Sequence, residues 1–524
     1  MKKKIMIPFI MIVFAFFVLF SPKYIGYAMP SYEAPKTLLV YDSLTSTNRE
    51  KESLYSFTRL LLSFGQQVTL YSLEDYPKGE LKKGNYDSVI TYIQRPEAKL
   101  QNEQFIKERN QFSGKKLHVG LGLTTFEEKQ FYEKIGMIPE VKLAKNINWN
   151  QSIGKMVVNE GVKKKTVFPY AIVEKKNAYL PYYQHSGASL LGTMELLSKW
   201  LNKKHKMYNP YITILGMNPL VDLEVAEEFQ KESQKVENEF IISASSTDIN
   251  NDLETFQDYI KILKQFTNNN RSIVYLNVPS LNSVGKNDSV LFNRMEQEIS
   301  TLIENEIFPL GISAPDYWDF DSFYQKSALL FGDSVLLYPF DKQEVHHKIN
   351  HTAYTFPLMF YCIDHKDLDN IEWNINGKYT EFQFPIPVTI SYPFPKTDKE
   401  GKKIIQEVLN DPFPPTDLYL YRYRTGITTQ TQTIIGENGG IELNGVSVNN
   451  INFAAMKERK QKINQETKKL EKEDQVHINQ TIMEQFDSIL TKIIIISLVI
   501  ILILFFIGWK RYRNMFIKKK GGNK

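Results

Sequence analysis

Thr37-Leu38-Leu39-Val40-Tyr41 is a short apolar run, followed by Leu54, Phe57, Leu61 and Phe64 at helical spacing and then by Gly65. A β-rich run leading into an amphipathic helix closed by glycine reads as one strand–helix unit. Further apolar runs occupy residues 67–71, 88–92 and 117–121, with helical or turn-rich stretches such as 102–112 between them. Strands alternating with helices predict a parallel, doubly wound sheet. Such sheets bind ligands at the carboxyl ends of their strands. The sequence offers no Gly-rich phosphate loop and no nucleophile elbow there, and Gly120-Leu121-Gly122 is too short to count as one.

Between residues 141 and 183 the pattern turns strand-like. Lys155-Met156-Val157-Val158, Thr166-Val167-Phe168 and Ala178-Tyr179-Leu180 are separated by charged turns, which predicts a small β insert. Residues 188–200 read as a helix that leads to Tyr211-Ile212-Thr213-Ile214-Leu215, the first strand of a second βα region. Later strands are expected at Phe240-Ile241-Ile242, Ser272-Ile273-Val274-Tyr275 and Val388-Thr389-Ile390, with helices over 253–266 and 292–304. A distorted (β/α) barrel is the closure this pattern predicts.

The two ends carry the long apolar runs. Lys2, Lys3 and Lys4 precede an uncharged run over 5–20, and Gly26-Tyr27-Ala28 supplies small residues before a cut, the form of a secretory signal peptide. An uncleaved N-terminal anchor is the rival reading, and either one exports the chain. Residues 493–509 contain no charge and would span about 25 Å as a helix, enough for a short membrane span. Lys510, Arg511, Arg513, Lys518, Lys519, Lys520 and Lys524 follow with no acidic residue among them, which places the tail in the cytoplasm. Residues 457–473 are dense in both charge signs, with Met456, Ile463 and Leu470 recurring at seven. The remaining seam positions, Lys460, Thr467 and Asp474, are polar, so a solvated single-helix stalk is expected rather than a coiled-coil dimer. Over residues 457–490 it would rise about 50 Å.

Composition excludes two classes. Cys362 is the sole cysteine, so no disulfide can form within the chain. Taking the four leader lysines (Lys2, Lys3, Lys4 and Lys23) and the seven tail cations from the formal net charge of +5 leaves the remainder at −6. A mildly acidic ectodomain lacks the basic footprint of a nucleic-acid-binding protein.

Several blocks resemble the YdaL-type family of exported bacterial proteins of unknown function, related to polysaccharide deacetylases. They are Leu38-Leu39-Val40-Tyr41-Asp42, Ser63-Phe64-Gly65, Tyr86-Asp87-Ser88-Val89-Ile90, Pro219-Leu220-Val221-Asp222 and Pro309-Leu310-Gly311-Ile312-Ser313-Ala314-Pro315, spread in order over the ectodomain. The resemblance implies an α/β chain. After a signal peptide (1–28) come a doubly wound, flavodoxin-like domain (35–138) and a β insert with a connecting helix (139–205). A degenerate polysaccharide-deacetylase-type (β/α) barrel (206–450) follows, then a helical stalk (451–490), one C-terminal transmembrane helix (491–510) and a basic tail (511–524).

Deacetylases of this kind hold a divalent metal with an acidic pair and a His pair, and the metal activates water against the acetamide carbonyl. Where the resemblance places the acidic pair stand Leu215 and Gly216, and the His positions carry Leu276 and Ser280. Asp316 replaces a further expected His, and Tyr392-Pro393 stands for the later His-Pro. The ligand set is lost, so the expectation is a pseudoenzyme without cofactor. His346, His347 and His351, beside Asp341 and Glu344, form the one alternative metal cluster. His347 and His351 have the spacing of paired ligands on a helix face, and a His-rich polar loop is the plainer reading. No Ser-His-Asp or Cys-His set is visible, and Cys362 reads as buried packing.

A cleft that has lost catalysis can persist as a sugar-binding surface. Asn218, Asp222, Asn277, Asp316, Tyr317, Trp318 and Tyr392 would converge there if the resemblance holds, combining hydrogen-bonding groups with amphipathic aromatic faces. The competing reading is that these aromatics are core packing. The function expected is that of a single-pass cell-membrane protein with its bulk outside, a non-catalytic accessory to exopolysaccharide or envelope carbohydrate. The expected partners are a polysaccharide or a membrane glycosyltransferase complex, plus membrane lipid at the C-terminal helix. The alternative is an active surface deacetylase or hydrolase with a rearranged metal site.

Overall fold

The structure is a computed structural model that describes residues 34–42, 48–93, 102–120, 152–160, 164–203, 206–236, 239–246, 254–269, 272–277, 288–339, 351–369, 371, 374–375, 378–379, 382–414, 424–455 and 504–509. The first layers are β1 (Lys36–Tyr41), α1 (Asn48–Ser63), β2 (Gln67–Ser72), α2 (Glu80–Lys83), β3 (Ser88–Ile93), α3 (Glu103–Gln111) and β4 (Lys115–Gly120). Next come β5 (Ser152–Glu160), β6 (Lys164–Glu174), β7 (Asn177–Leu180) and α4 (Gly187–Trp200). Strands β2-β1-β3-β4-β7 lie parallel in that order, the order of doubly wound flavodoxin-like sheets. Helices cover both faces, so β1 and β3 are buried almost throughout. Leu38 and Val40 pack with Leu81 and Phe105 on one face, while Phe57 of α1 meets Tyr92 on the other at 5.3 Å.

The sheet is mixed, not purely parallel. The expected insert is part of it: β7 is its fifth parallel strand, and β6 and β5 continue the same sheet as an antiparallel extension. Propensity marked these segments as strands, but it is the pairing of β4 with β7, from Lys116 with Asn177 to Val119 with Leu180, that joins them to the first sheet.

The barrel follows with β8 (Tyr211–Met217), α5 (Leu223–Ser233), β9 (Phe240–Ala244), α6 (Glu254–Asn269), β10 (Ile273–Asn277), α7 (Asp288–Glu304) and β11 (Gly311–Pro315). A 3₁₀ turn (Asp316–Phe320), α8 (Ser322–Ser327), β12 (Ser334–Tyr338), β13 (Thr352–Ala353) and β14 (Leu358–Asp364) come next. The hairpin β15 (Asn374–Ile375) and β16 (Lys378–Tyr379), β17 (Val388–Pro393) and α9 (Asp398–Asn410) complete this region. Seven strands, β8, β9, β10, β11, β12, β14 and β17, close into a wholly parallel barrel. Its lumen is filled by side chains. Phe360 of β14 meets Tyr275 of the non-adjacent β10 at 6.2 Å and Tyr211 at 5.4 Å, and the Ser243 and Ser313 hydroxyls lie 2.7 Å apart across β10. Gly311 makes room for this packing, since a Cβ there would stand 2.6 Å from the Tyr275 ring.

Strand β13 leaves the barrel and pairs antiparallel with β2, adding an edge strand to the first sheet. Among the described residues no helix connects β12 to β14, and α1 of the first domain packs on β14 instead. After the barrel, β18 (Thr425–Thr428), β19 (Thr433–Glu437), β20 (Gly440–Leu443) and β21 (Val446–Ser447) form a separate antiparallel sheet. Thr425 Oγ1 donates to Leu310 O at 2.8 Å, tying that sheet to the N-terminal end of β11. Met1–Asn450 form one compact unit and Ile451–Lys524 a second. The expected signal peptide, the stalk beyond residue 455 and the apolar run up to residue 503 lie outside the described residues, whereas 504–509 are helical and exposed. Among the described residues no helix is long and apolar enough to cross a membrane.

Candidate functional site

All seven barrel strands run the same way, so the segments after them gather at one end, where (β/α) barrels build their sites. Side-chain alternation fixes what points inward there. Because Phe360 and Tyr275 lie in the lumen, Cys362 and Asn277 share that side, while Tyr361 and Leu276 face out. Tyr338 at the end of β12 donates to Asn277 Oδ1 at 3.5 Å. Cys362 is buried, and burial pushes its thiol up to about 12, so it is not a nucleophile at neutral pH.

The outward face of β14 meets α1. Ser56 places its hydroxyl 2.6 Å from the Tyr361 hydroxyl and 2.7 Å from that of Tyr183. One turn on, Arg59 lies over the Tyr361 ring at 5.5 Å, donates from Nη1 to Leu337 O at 3.2 Å and pairs through Nε with Asp316 Oδ2 at 3.5 Å. The Arg59 side chain is 4% exposed and that of Asp316 10%. Burial pushes the Asp316 carboxyl up to about 6 against the opposing pull of Arg59. Burial also works against the Arg59 charge, but Asp316 and Tyr361 outweigh it and hold the guanidinium charged. Tyr55 of α1 packs on Phe320 at 4.8 Å, so α1 also grips the turn that carries Asp316.

A second polar group sits beside β14 and β17. His365 stacks on Tyr392 at 4.5 Å, and its Nδ1 lies 3.1 Å from Asp364 Oδ1 and 3.3 Å from Ser391 O. Burial opposes the His365 charge, and Asp364 more than offsets it, raising the imidazole. Tyr392 donates to Asp411 Oδ2 at 3.4 Å. Burial, then Asp364 and Glu52, push Asp367 up to about 7, and burial aided by Glu407 pushes Asp411 up to about 6.

The seven expected sugar contacts lie at the ends of barrel strands or just after them, but as separate groups. Asn218 closes its own turn, with Oδ1 accepting from Leu220 N at 2.9 Å. Asp222 caps α5, accepting from Glu224 N and Val225 N. Asn277 is engaged by Tyr338, and Asp316 by Arg59. Tyr317 and Trp318 are buried, Trp318 with 0% exposure and stacked on Tyr324 at 4.7 Å. A face with no exposed area cannot receive a sugar, so Trp318 acts here as packing. Tyr392 is turned to His365 and Asp411. His346 and His347 lie outside the described residues; His351 precedes β13 rather than sitting on a helix and meets Gln325 Oε1 at 2.9 Å through Nε2.

The donors do not fit the divalent metal of a deacetylase. Gly216 has φ +89° at a bulge between Leu215 and Met217, a backbone that an aspartate would adopt only with strain. Leu276 is fully buried on the outward side, and Ser280 lies outside the described residues. Among the described residues no three His, Cys, Asp or Glu side chains group to hold a metal ion. Sequence reasoning missed Arg59, Tyr338, Asp364, His365, Asp367 and Asp411. The Asp364-His365 pair at the end of an apolar strand was a usable signal, whereas nothing local marked Arg59.

Neither a protein-family model nor a curated protein matches the chain.

Proposed function

We propose that the chain is a membrane-anchored, extracytoplasmic protein of the YdaL type, a non-catalytic accessory to exopolysaccharide or cell-envelope carbohydrate. The observation that carries this reading is the Arg59–Asp316 pair. A metal-dependent deacetylase barrel needs an open metal position and a water aimed at the acetamide carbonyl. Here a guanidinium from another domain binds the strand-end carboxylate, and Gly216 and Leu276 offer no donor. Purified protein is expected to release no acetate from N-acetylglucosamine polymers, with or without added zinc or cobalt. Release that disappears in an Asp316→Ala, Asp222→Ala double variant would overturn the reading. The anchor rests on the uncharged 493–509 run and its downstream cations. Protease added to intact, wall-stripped cells should spare a tag placed after Lys524. A pull-down from detergent-solubilised membranes identifies the partner, expected to be a glycosyltransferase complex.

One observation favours an active, rearranged hydrolase instead. Asp367 near 7 and Asp411 near 6 lie in the range that suits proton transfer, beside the His365–Asp364 pair. Release of acetate or reducing ends that is lost in His365→Ala, with the melting temperature unchanged, would favour this second reading.

A further inference from the structure

At the opposite end of the barrel a cleft of about 520 Å³ opens between the last turn of α1 and the segments that precede β8, β14 and β17. This volume is in the range of ligand sites, roughly 300–1,000 Å³. Its walls are fixed. Thr355 Oγ1 donates to Leu62 O at 2.7 Å, and Tyr208 and Phe384 exchange two backbone hydrogen bonds of 2.8 Å. Pro357, Pro385 and Pro387 form a stiff apolar rim.

Among the described residues, the charges that line the cleft have one sign. Lys203, Lys206 and Arg424 line it, and among the described residues no lining residue is acidic. Lys206 lies over the Tyr208 ring at 4.9 Å. Two neighbouring carboxylates stand outside the lining: Asp333 is close enough to Arg424 to feel its charge, and Asp87 sits by Lys115 and accepts from Lys36 N at 2.8 Å. Burial lowers the Lys203 ammonium, and Lys203 in turn adds to the burial that lowers Lys115. Three cations on the wall of one cleft, Lys203 half-buried and Lys206 and Arg424 exposed, set up a field that attracts an anion.

We infer that this cleft binds an acidic saccharide, with its carboxylate or phosphate held by Lys203, Lys206 and Arg424 and a sugar ring laid on the proline rim. The anion follows from the charges; the saccharide rests on the carbohydrate reading above. The test is calorimetry on the full-length chain with four probes: an oligogalacturonate, a glycerol-phosphate oligomer, a neutral gluco-oligosaccharide and inorganic phosphate. One of the two acidic oligomers should bind at least about tenfold tighter than the neutral one, and which one it is names the anion. That binding should weaken by about tenfold or more in Lys203→Met with Arg424→Met, and in high salt, where charge attraction is screened. An unchanged melting temperature, and the same loss in the exposed single variant Arg424→Glu, exclude misfolding. Acidic and neutral oligomers binding alike, or anion binding indifferent to these variants, would overturn the cleft and leave the carbohydrate reading standing. Phosphate binding as tightly as an oligomer would retain the anion site and overturn its saccharide occupant.

Discussion

Arg59 brings a full charge into a space where its side chain is 4% exposed, and it is tolerated because Asp316, Leu337 O and the Tyr361 ring surround it. Removing one member of such a pair costs more than removing both, since the survivor is left buried and unmatched. Arg59→Met is expected to lose about 3–5 kcal/mol in urea unfolding at pH 8. Arg59→Met with Asp316→Asn should recover most of it. The single-variant penalty should shrink as pH falls from 8 toward 6 and stay at its smallest below that, because Asp316, already raised to about 6, is raised further without Arg59 and takes its proton at higher pH. A penalty equal at pH 8 and pH 5 would show that the pair is not what holds the two domains. Trp318 makes the opposite case, with a residue type that suggested a ligand surface and a stacked, fully buried indole in the fold. Trp318→Ala should cost about 3–5 kcal/mol and leave polysaccharide retention unaltered. Sequence alone posed both alternatives for Trp318, because an aromatic's chemistry is local but its burial depends on distant elements such as α8.

Among the elements, strand–helix alternation was readable wherever an apolar period was long, as in β1 with α1 or β8 with α5. What could not be read was which layer an element serves. Helix α1 packs on β2 and also on the outer wall of β14, and β13 is only two residues long yet pairs with β2, a strand far from it in the sequence. Its burial, not its propensity, defines it. The polar seam of α1 is its testable feature. Ser56 lies within 2.7 Å of both the Tyr183 and Tyr361 hydroxyls, all within buried surroundings. Ser56→Ala removes a shared partner and is expected to cost about 1–3 kcal/mol by denaturant titration. Adding Tyr361→Phe should then cost little more, and strict additivity of the two changes would show that the hydroxyls do not act together.

For the whole molecule, the balance of ionisable groups sets an unusual pH response. Asp316, Asp367 and Asp411 are raised to about 6, 7 and 6, chiefly by burial, so each binds a proton in the folded state at a pH where the unfolded chain has lost it. Stability from such groups is fully present below the unfolded carboxylate pKa of about 3.9 and is lost as pH rises through the folded value. His365, held above its ordinary range by Asp364, acts in the same direction, losing its contribution as pH rises. His351 opposes them, since burial lowers it and its contribution falls as pH drops below about 6.5. Asp364 and Glu108 lie below the ordinary carboxylate range, so their losses begin only in stronger acid. Among the described residues five raised carboxyls, Asp319 and Asp333 included, and one raised imidazole outnumber one lowered imidazole. The melting temperature is therefore expected to climb as pH is lowered from 8 to about 5, before acid unfolding sets in. Asp367→Asn removes a carboxyl raised to about 7, so it should raise the melting temperature at pH 8 and flatten the upper part of that climb. A profile that falls from pH 8 to 5, or one that Asp367→Asn leaves unchanged, would mean that these carboxyls are solvated rather than buried against α1, β14 and α9.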